Sequence, residues 1–322
     1  PLQKDMRKNR RILVCGAGGY VGGNLVETLL DWGFTNISAV SSRPLNQWLK
    51  TSDKVENFVG DLRDPRICDE LAYEANYVFN LAATVGGIGF IGKNKVECMM
   101  SSMINTNLLR AASREGVLRY FFASSSCVYP ENDGAPLKES DAYPAQPMDG
   151  YGWDKLFSER MCLAFDEERQ LPVTIARFHT VYGPGDVRPE GRDHVTTALC
   201  KKVIEAKRSG KHEIEIWGDG NQTRNFLNIK DCVYGILSLM SYEVQGPVNL
   251  ANPEPVSVNQ LVTVLEEIAG VSLKRKYKLD APRGRQFKIC DTTLLRESLK
   301  WEPSITLRDG LEELYKDLWD KV

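Results

Sequence analysis

Long apolar runs, paired cysteines and an excess of charge of either sign are all missing from this 322-residue chain. No stretch approaches the roughly 18 apolar residues that a membrane-spanning helix needs. The N-terminus is polar and basic without a signal-peptide core, so no membrane partner and a cytoplasmic location are expected. The formal net charge is −2, which suggests no polyanion and hence no nucleic-acid partner. Basic clusters such as Lys201-Lys202 and Lys274-Arg275-Lys276 read as solvated faces. The eight cysteines are scattered singly, with no C-x-x-C pair and no metal-ligand spacing. They read as reduced thiols rather than a disulfide frame, and no metal site is expected. There is no internal repeat and no low-complexity segment. What remains is 42% hydrophobic and 26% charged, which suits a globular protein of one or two domains.

The most informative stretch runs from Ser124-Ser125-Ser126-Cys127-Val128-Tyr129-Pro130 to Tyr151-Gly152-Trp153-Asp154-Lys155. Tyr151 and Lys155 are four apart and share one face of a helix. An ammonium beside a phenol favours the phenolate, so Lys155 is expected to lower the pKa of Tyr151 from its usual ~10. Tyr151 then suits acid/base work on an alcohol or sugar hydroxyl. Ser125, ending the apolar run Tyr120 to Ala123, is placed to hydrogen-bond the same oxygen.

Beyond an arm at residues 1–10, expected to be mobile, Arg11 to Cys15 reads as a strand. It enters the turn Gly16-Ala17-Gly18-Gly19-Tyr20-Val21-Gly22-Gly23, and a helix follows over Asn24 to Leu30. Strand, glycine turn and helix in this order form a dinucleotide fingerprint, with the pyrophosphate on the helix N-terminus. The second strand, Asn36 to Val40, ends in Ser41-Ser42-Arg43, with no ribose-binding carboxylate. Two hydroxyls and a guanidinium suit a 2′-phosphate, which favours NADP over NAD. Val55 to Val59 reads as the third strand, with Asp61-Leu62 facing the adenine. Tyr77 to Leu81 is the fourth, continuing into Ala82-Ala83 and a loop where Gly86 and Gly87 allow close approach of a substrate. One helix is expected from about Val96 to Arg114, with Asn107 buried on its inner face.

The Tyr151 helix continues to about Arg169, and Val173 to Phe178 is another strand. Alternating strands and helices predict an α/β fold with a Rossmann-like, doubly wound parallel sheet. From Tyr182 onward Gly and Pro become frequent and strands shorten. Helices are expected over Val195 to Arg208, after the capping-box pair Ser257 and Gln260, and from about Asp309 to Asp320. The division expected is a coenzyme-binding Rossmann domain over 1–180 plus about 226–250. A smaller α/β substrate domain takes 181–225 plus about 251–322.

These motifs together resemble the extended short-chain dehydrogenase/reductases that act on nucleotide-sugars. Within them, GDP-mannose 3,5-epimerase and GDP-L-fucose synthase are the two similar families. The resemblance rests on the glycine turn, Asn80-Leu81-Ala82-Ala83, Val85-Gly86-Gly87 and the Ser125 to Pro130 run. Tyr151 with Lys155, Arg177-Phe178-His179, Tyr182-Gly183-Pro184 and Trp217 to Arg224 complete it. It implies bound NAD(P), a GDP-sugar substrate and a homodimer formed through two helices of the coenzyme domain. It also implies that Cys127 is one acid/base and that His194, in Gly191-Arg192-Asp193-His194, is the second. His at that position resembles the fucose synthases; the mannose epimerases have Lys. The substrate residues implied are Gly86, Gly87, Ser126, Cys127, Thr180, His194, Lys202, Trp217, Arg224, Arg285 and Lys288.

Three positions depart from the family pattern. Thr180 stands where Asn is expected, the second strand lacks its terminal acid, and near Arg283 and Arg285 the final arginine is Lys288. The expected function is 3,5-epimerisation of a GDP-mannose-like sugar through a transient 4-keto intermediate. The alternative is a 3,5-epimerase/4-reductase acting on a 4-keto-6-deoxy sugar. A non-catalytic NADP sensor is the rival from another class, and retention of Tyr151, Lys155 and Cys127 argues against it.

Overall fold

In the first half of the chain most short apolar runs become strands buried on both faces, as a sheet covered by helices on two sides requires; the edge strand Glu56–Val59 is partly exposed. The computed structural model describes residues 6–187, 193–282 and 284–322. Its first strands are β1 (Ile12–Cys15), β2 (Ile37–Ser41), β3 (Glu56–Val59), β4 (Tyr77–Asn80), β5 (Arg119–Ser125) and β6 (Val173–Phe178). They lie in the order β3-β2-β1-β4-β5-β6, and Pro247–Leu250 extends the sheet beyond β6. Every pairing is parallel; Val14, for instance, faces Ala39 of β2 on one side and Phe79 of β4 on the other. Alternate residues of β1 feed the two cores. Ile12 and Val14 pack on one face of the sheet, and Leu13 and Cys15 on the other.

The helices of this half are α1 (Tyr20–Asp31), α2 (Pro65–Ala72), α3 (Ile88–Lys93), α4 (Lys95–Met99), α5 (Ser101–Arg114) and α6 (Gly150–Arg169). Helix α1 begins four residues before the apolar pattern suggests. Gly22 makes this possible: a β-carbon there would come within 2.3 Å of the Gly16 carbonyl oxygen. The helix expected from Val96 to Arg114 is broken. Met100 ends α4 and precedes the first residue of α5, so the two segments turn separately onto α6. Residues 6–10 also differ from expectation, because Met6 is buried in the core and the Lys8 carbonyl accepts the Thr35 N–H. Residues 1–5 lie outside the described residues.

A second core forms where Val195–Ser209, Val258–Ala269 and Leu307–Trp319 pack around Ile214, Ile216 and Phe226. The capping box at Ser257 and Gln260 is present, each side chain accepting the other residue's N–H. The small sheet beside this core joins Thr180–Tyr182, Thr223–Asn228, Phe287–Lys288 and Pro255–Ser257. Helix Ile229–Ser241 returns to the first core, and the chain then adds Pro247–Leu250 to the main sheet.

One buried polar cluster ties the sheet to α6. The Arg177 guanidinium on β6 bonds both carboxylate oxygens of Glu159 on α6, at 2.9 and 2.7 Å, and both side chains are 1% exposed. Ser124 Oγ donates to Glu159 at 2.5 Å. Arg177 also bonds Tyr129 Oη at 3.0 Å and the Glu139 carbonyl at 2.7 Å. Tyr129 donates onward to Asn249 Oδ1 at 2.6 Å. A buried ion pair broken on one side leaves an uncompensated charge, at a cost of about 3–5 kcal/mol. Glu159→Gln is expected to lower the unfolding free energy by about that much in urea titration. A loss below about 1 kcal/mol, the range of an exposed pair, would show that solvent reaches Arg177.

Candidate active site

The strand order reverses between β1 and β4, and ligands of doubly wound sheets bind outside the strand carboxyl ends at such a point. The carboxyl ends of β1, β4, β5 and β6 open here into one cavity of about 860 Å³. One side is walled by the glycine turn (Gly16, Gly19, Tyr20, Val21 and Gly22), by Ser41, Ser42 and Arg43, by Asp61-Leu62, and by Leu81, Ala82 and Ala83. The N-terminus of α1 faces it through Gly19 with no side-chain cap, so its first N–H groups and the helix dipole suit an anion. These residues fit the pyrophosphate of a dinucleotide. Gly18 does not share this wall. It backs onto Ser41 and Trp48, where a β-carbon would come within 2.8 and 2.9 Å of side-chain atoms. The Asp61 carboxylate is gripped by the Arg63 guanidinium, at 2.6 Å from Nη2. That grip holds its carboxyl below the usual range.

Helix α6 brings the Tyr–Lys pair to the middle of the cavity. Asp149 caps it by accepting the Gly152 N–H at 2.8 Å. At Gly152 a β-carbon would lie 2.3 Å from the Cys127 carbonyl oxygen, so glycine lets the helix start directly against the Cys127 turn. Ser125 Oγ accepts the Cys127 N–H at 3.1 Å and also hydrogen-bonds Tyr151. Tyr151 and Lys155 are buried, at 8% and 3% exposure. The expectation that Lys155 lowers the Tyr151 pKa is not met. Lys155 donates to the Ala123 carbonyl at 2.9 Å and stands 5.6 Å from the centre of the Tyr151 ring. Burial, the largest effect, pushes the phenol well up and nearby Cys127 adds to this, against a downward pull from Ser125. Burial likewise pushes the Lys155 ammonium down, opposed by the Asp154 carboxylate.

The far wall is strongly cationic. Lys288 Nζ donates to Cys127 Sγ at 3.4 Å. Arg285 donates to the carbonyls of Cys127 and Pro130, at 3.0 and 3.3 Å, and Arg224 to the Arg285 carbonyl at 2.6 Å. Burial first, then repulsion from Arg285, pushes Arg224 down to about 10. Gly86, Gly87, Thr180, His194, Lys202 and Trp217 also line the cavity. His194 precedes the first turn of Val195–Ser209, while Gly191, Arg192 and Arg283 lie outside the described residues. Lys202 donates to the Glu215 carbonyl at 3.0 Å and stands 6.0 Å from the Trp217 ring. Ser126 is not on the cavity; it is fully buried behind the Cys127 turn. Asn107 is only half-buried and holds the Leu62 and Arg63 carbonyls. The buried asparagine of α5 is Asn105, bonded by Tyr120 and Asn80.

Sequence reasoning gave His179 no site role, yet it lines the cavity at the end of β6. Burial, and next the Lys288 charge, push its imidazole down to about 3 against the pull of Asn249, so it is neutral at pH 7. Its signal in the sequence was its position two residues beyond Arg177, where a strand carboxyl end meets the cavity.

A glycine turn under an uncapped helix, with a buried Tyr–Lys pair beside it, defines a short-chain dehydrogenase/reductase type of nucleotide-binding enzyme. Comparison with known proteins narrows the class. The chain belongs to the NAD dependent epimerase/dehydratase family, whose model matches residues 12–251. It is 35% identical over 316 residues to GDP-mannose 3,5-epimerase 1 of Oryza sativa subsp. indica, covering 95% of this chain and 80% of that protein. GDP-L-fucose synthase 1 of Arabidopsis thaliana is 30% identical over 320 residues, covering 96% and 93%. Among solved structures, UDP-glucose 4-epimerase of Thermotoga maritima with UDP-glucose superposes with a TM-score of 0.87 at 25% identity, covering 97% and 99%. UDP-glucuronic acid 4-epimerase of Bacillus cereus, in complex with UDP-glucuronic acid and NAD, gives 0.83 at 25% identity, covering 97% and 100%.

Proposed function

We propose that this enzyme is a GDP-sugar 3,5-epimerase acting on a GDP-mannose-like hexose through a transient 4-keto sugar. The observation that carries the reading is Cys127, which lines the cavity beside Tyr151 with Lys288 on its sulfur. The 35% identity to a GDP-mannose 3,5-epimerase supports it. In this reading residues 181–225 and about 251–322 hold the sugar nucleotide, while 1–180 and about 226–250 hold the coenzyme. A nicotinamide coenzyme along the α1 wall supplies a hydride acceptor and donor.

Tyr151 exchanges a proton between its phenol oxygen and the oxygen on the fourth sugar carbon, with Ser125 bonding the same phenol and Lys155 beneath it. A ketone at that carbon makes the neighbouring C–H bonds acidic, because the carbanion is an enolate. Cys127 and His194 remove and return protons at the third and fifth carbons from opposite ring faces. In this reading Arg285 and Arg224, on the cationic wall, hold the diphosphate or an enolate oxygen. His194, of the type seen in fucose synthases, favours one second reading: an epimerase/4-reductase taking a GDP-4-keto-6-deoxy sugar.

Incubation with GDP-mannose in heavy water, followed by proton NMR, tests both readings. Deuterium is expected at the third and fifth ring positions with no net coenzyme change. Cys127→Ser should slow exchange on the order of 10²-fold, the usual worth of a positioned acid/base. A Cys127→Ser enzyme exchanging both protons at the normal rate would return Cys127 to simple packing. Turnover of only the 4-keto-6-deoxy sugar, with net coenzyme oxidation, would make the reductase reading the right one.

The preference for NADP rests on Ser41, Ser42 and Arg43 lining the cavity where β2 ends without an acid. Arg43→Ala is expected to weaken NADP binding about 10- to 100-fold while leaving NAD little changed, as loss of a charge-assisted phosphate contact does. Titration of both coenzymes into the protein measures this, and an NAD preference present already in the wild type would sink it.

A homodimer is supported by Val96, Met99 and Met103 on α4 and α5 and by Trp153 and Phe157 on α6. These large apolar side chains are between 43% and 71% exposed, on helices that pack side by side. A second copy covering the same helices would bury them. Light scattering should give a dimer for the wild type and a monomer for Phe157→Glu; a wild-type monomer at micromolar concentration removes the idea. The eight free thiols suit a reducing compartment such as the cytoplasm.

A further inference from the structure

Inverting two carbons with one acid/base pair leaves that pair in the wrong state after the first inversion. The group that took a ring proton still holds it, and the group that gave one lacks it. Each must be reset before the second carbon can invert, and a thiol covered by bound sugar resets slowly unless a titratable partner touches it. Cys127 has such a partner in Lys288, whose Nζ donates to Sγ at 3.4 Å. An arginine, which the family resemblance leads one to expect at this position, could supply the same charge. Its guanidinium does not lose a proton in proteins, however, whereas an ammonium can.

Building on the epimerase reading, we propose that Lys288 is the proton relay of Cys127, a positioning residue that clears the sulfur between the two inversions. The neutral amine takes the thiol proton: the S–H bond breaks as an N–H bond forms, leaving a thiolate beside an ammonium. The ammonium then passes one proton to solvent in the open cavity and is again an amine. No electrons are transferred and no co-reactant is needed.

The surroundings suit this task. Burial, followed by the charges of Arg285 and Arg224, pushes the Lys288 ammonium down, against the pull of Cys127. The amine form is therefore more accessible than it is for a solvated lysine. The ionisable groups facing the pair are Arg224 and Arg285 from the cationic wall, His179 at the end of β6, and Tyr151 and Lys155 on α6. His179 stays neutral beside Lys288 and so adds no third repelling charge. Cys127 is the half-exposed cysteine of the chain, and the other seven are buried, so its chemistry can be followed without interference.

Lys288→Arg keeps the charge and removes the relay. In heavy water with GDP-mannose, this variant is expected to invert the first carbon and to accumulate singly inverted sugar. The second inversion should slow on the order of 10²-fold, the worth of a positioned acid/base. The wild-type rise of double inversion with pH, as Lys288 loses its proton, should disappear in the variant. A wild-type product ratio and pH profile in Lys288→Arg would overturn the relay. If the wild type exchanges no ring proton of any nucleotide-sugar, the epimerase reading itself fails, and a sugar-free measurement still decides the relay. The rate of iodoacetamide alkylation at Cys127, mapped by mass spectrometry against pH, should carry a step that Lys288→Arg removes. Identical alkylation profiles overturn the relay whichever substrate is found.

Discussion

The Glu159–Arg177 pair is the constraint on which the placement of the site depends. Two opposite charges taken out of water must be close and fully hydrogen-bonded, or the fold does not tolerate them. Here the remaining sites are filled from outside the pair's own elements: Ser124 from β5, Tyr129 and the Glu139 carbonyl from the segment after it. Asn249 extends the cluster to the edge of the main sheet, bonding Tyr129 and accepting no freedom of its own, since its amide holds the Leu137 and Asp291 carbonyls. Glu159 lies four residues beyond Lys155 and eight beyond Tyr151, so the three share the face of α6 turned to the sheet. Fixing Glu159 fixes the height and rotation of the other two. The same pair fixes β6, whose next residues include His179. A buried ion pair need not add stability over an apolar substitute. Its value here is register, because it permits one position of α6 against β5 and β6.

The cationic wall is a local feature of a chain that is nearly neutral overall, with a formal charge of −2. Arg224 and Arg285 are crowded enough that each carries backbone carbonyls as partners. Partial charges on carbonyls satisfy the guanidinium hydrogens but leave the net positive charge in place. Such a concave, half-dry cluster focuses its field on whatever anion enters the cavity. It also acts on Cys127, whose carbonyl is held by Arg285 while its sulfur is held by Lys288. The backbone and side chain of one residue are thus fixed from the same wall.

Much of this was legible in the sequence because its signals are local. The glycine turn, the Tyr151–Lys155 spacing and the Ser257–Gln260 capping box each span a few residues; the strand–turn–helix order, the shared helix and the capping box all form, with the first helix starting earlier, at Tyr20. The failures share a cause of the opposite kind. The direction of the Tyr151 shift depends on burial, and on Lys155 finding the Ala123 carbonyl, neither of which spacing reveals. The break at Met100 follows from packing on α6, which overrides a continuous helical pattern. Asn107 and Asn105 are two residues apart and chemically identical; only the position of Tyr120 decides which is buried. The contact between Lys288 and Cys127 joins residues 161 apart in the chain, and no periodicity encodes it. The resemblance to a family marked both residues without showing that they touch.

Under the epimerase reading, three side chains around one cavity would carry protons, and their environments differ. Tyr151 is buried and hydrogen-bonded by Ser125, so in the isolated chain it keeps its proton. As a proton donor it is ready for the step in which a ketone becomes a hydroxyl. Taking a hydroxyl proton instead requires added positive charge near the phenol, beyond what Lys155 provides from its place under Ala123. Cys127 is the half-exposed carrier, touched by an amine. His194 lines the same cavity at the start of the helix Val195–Ser209. Under the epimerase reading the order of events therefore has a physical basis: the phenol responds to charge at the coenzyme wall, the thiol to the amine behind it, and the imidazole to the substrate. In that reading Cys127 and His194 change state together at each inversion while Tyr151 acts apart from them, so one cavity can serve redox and inversion steps in sequence.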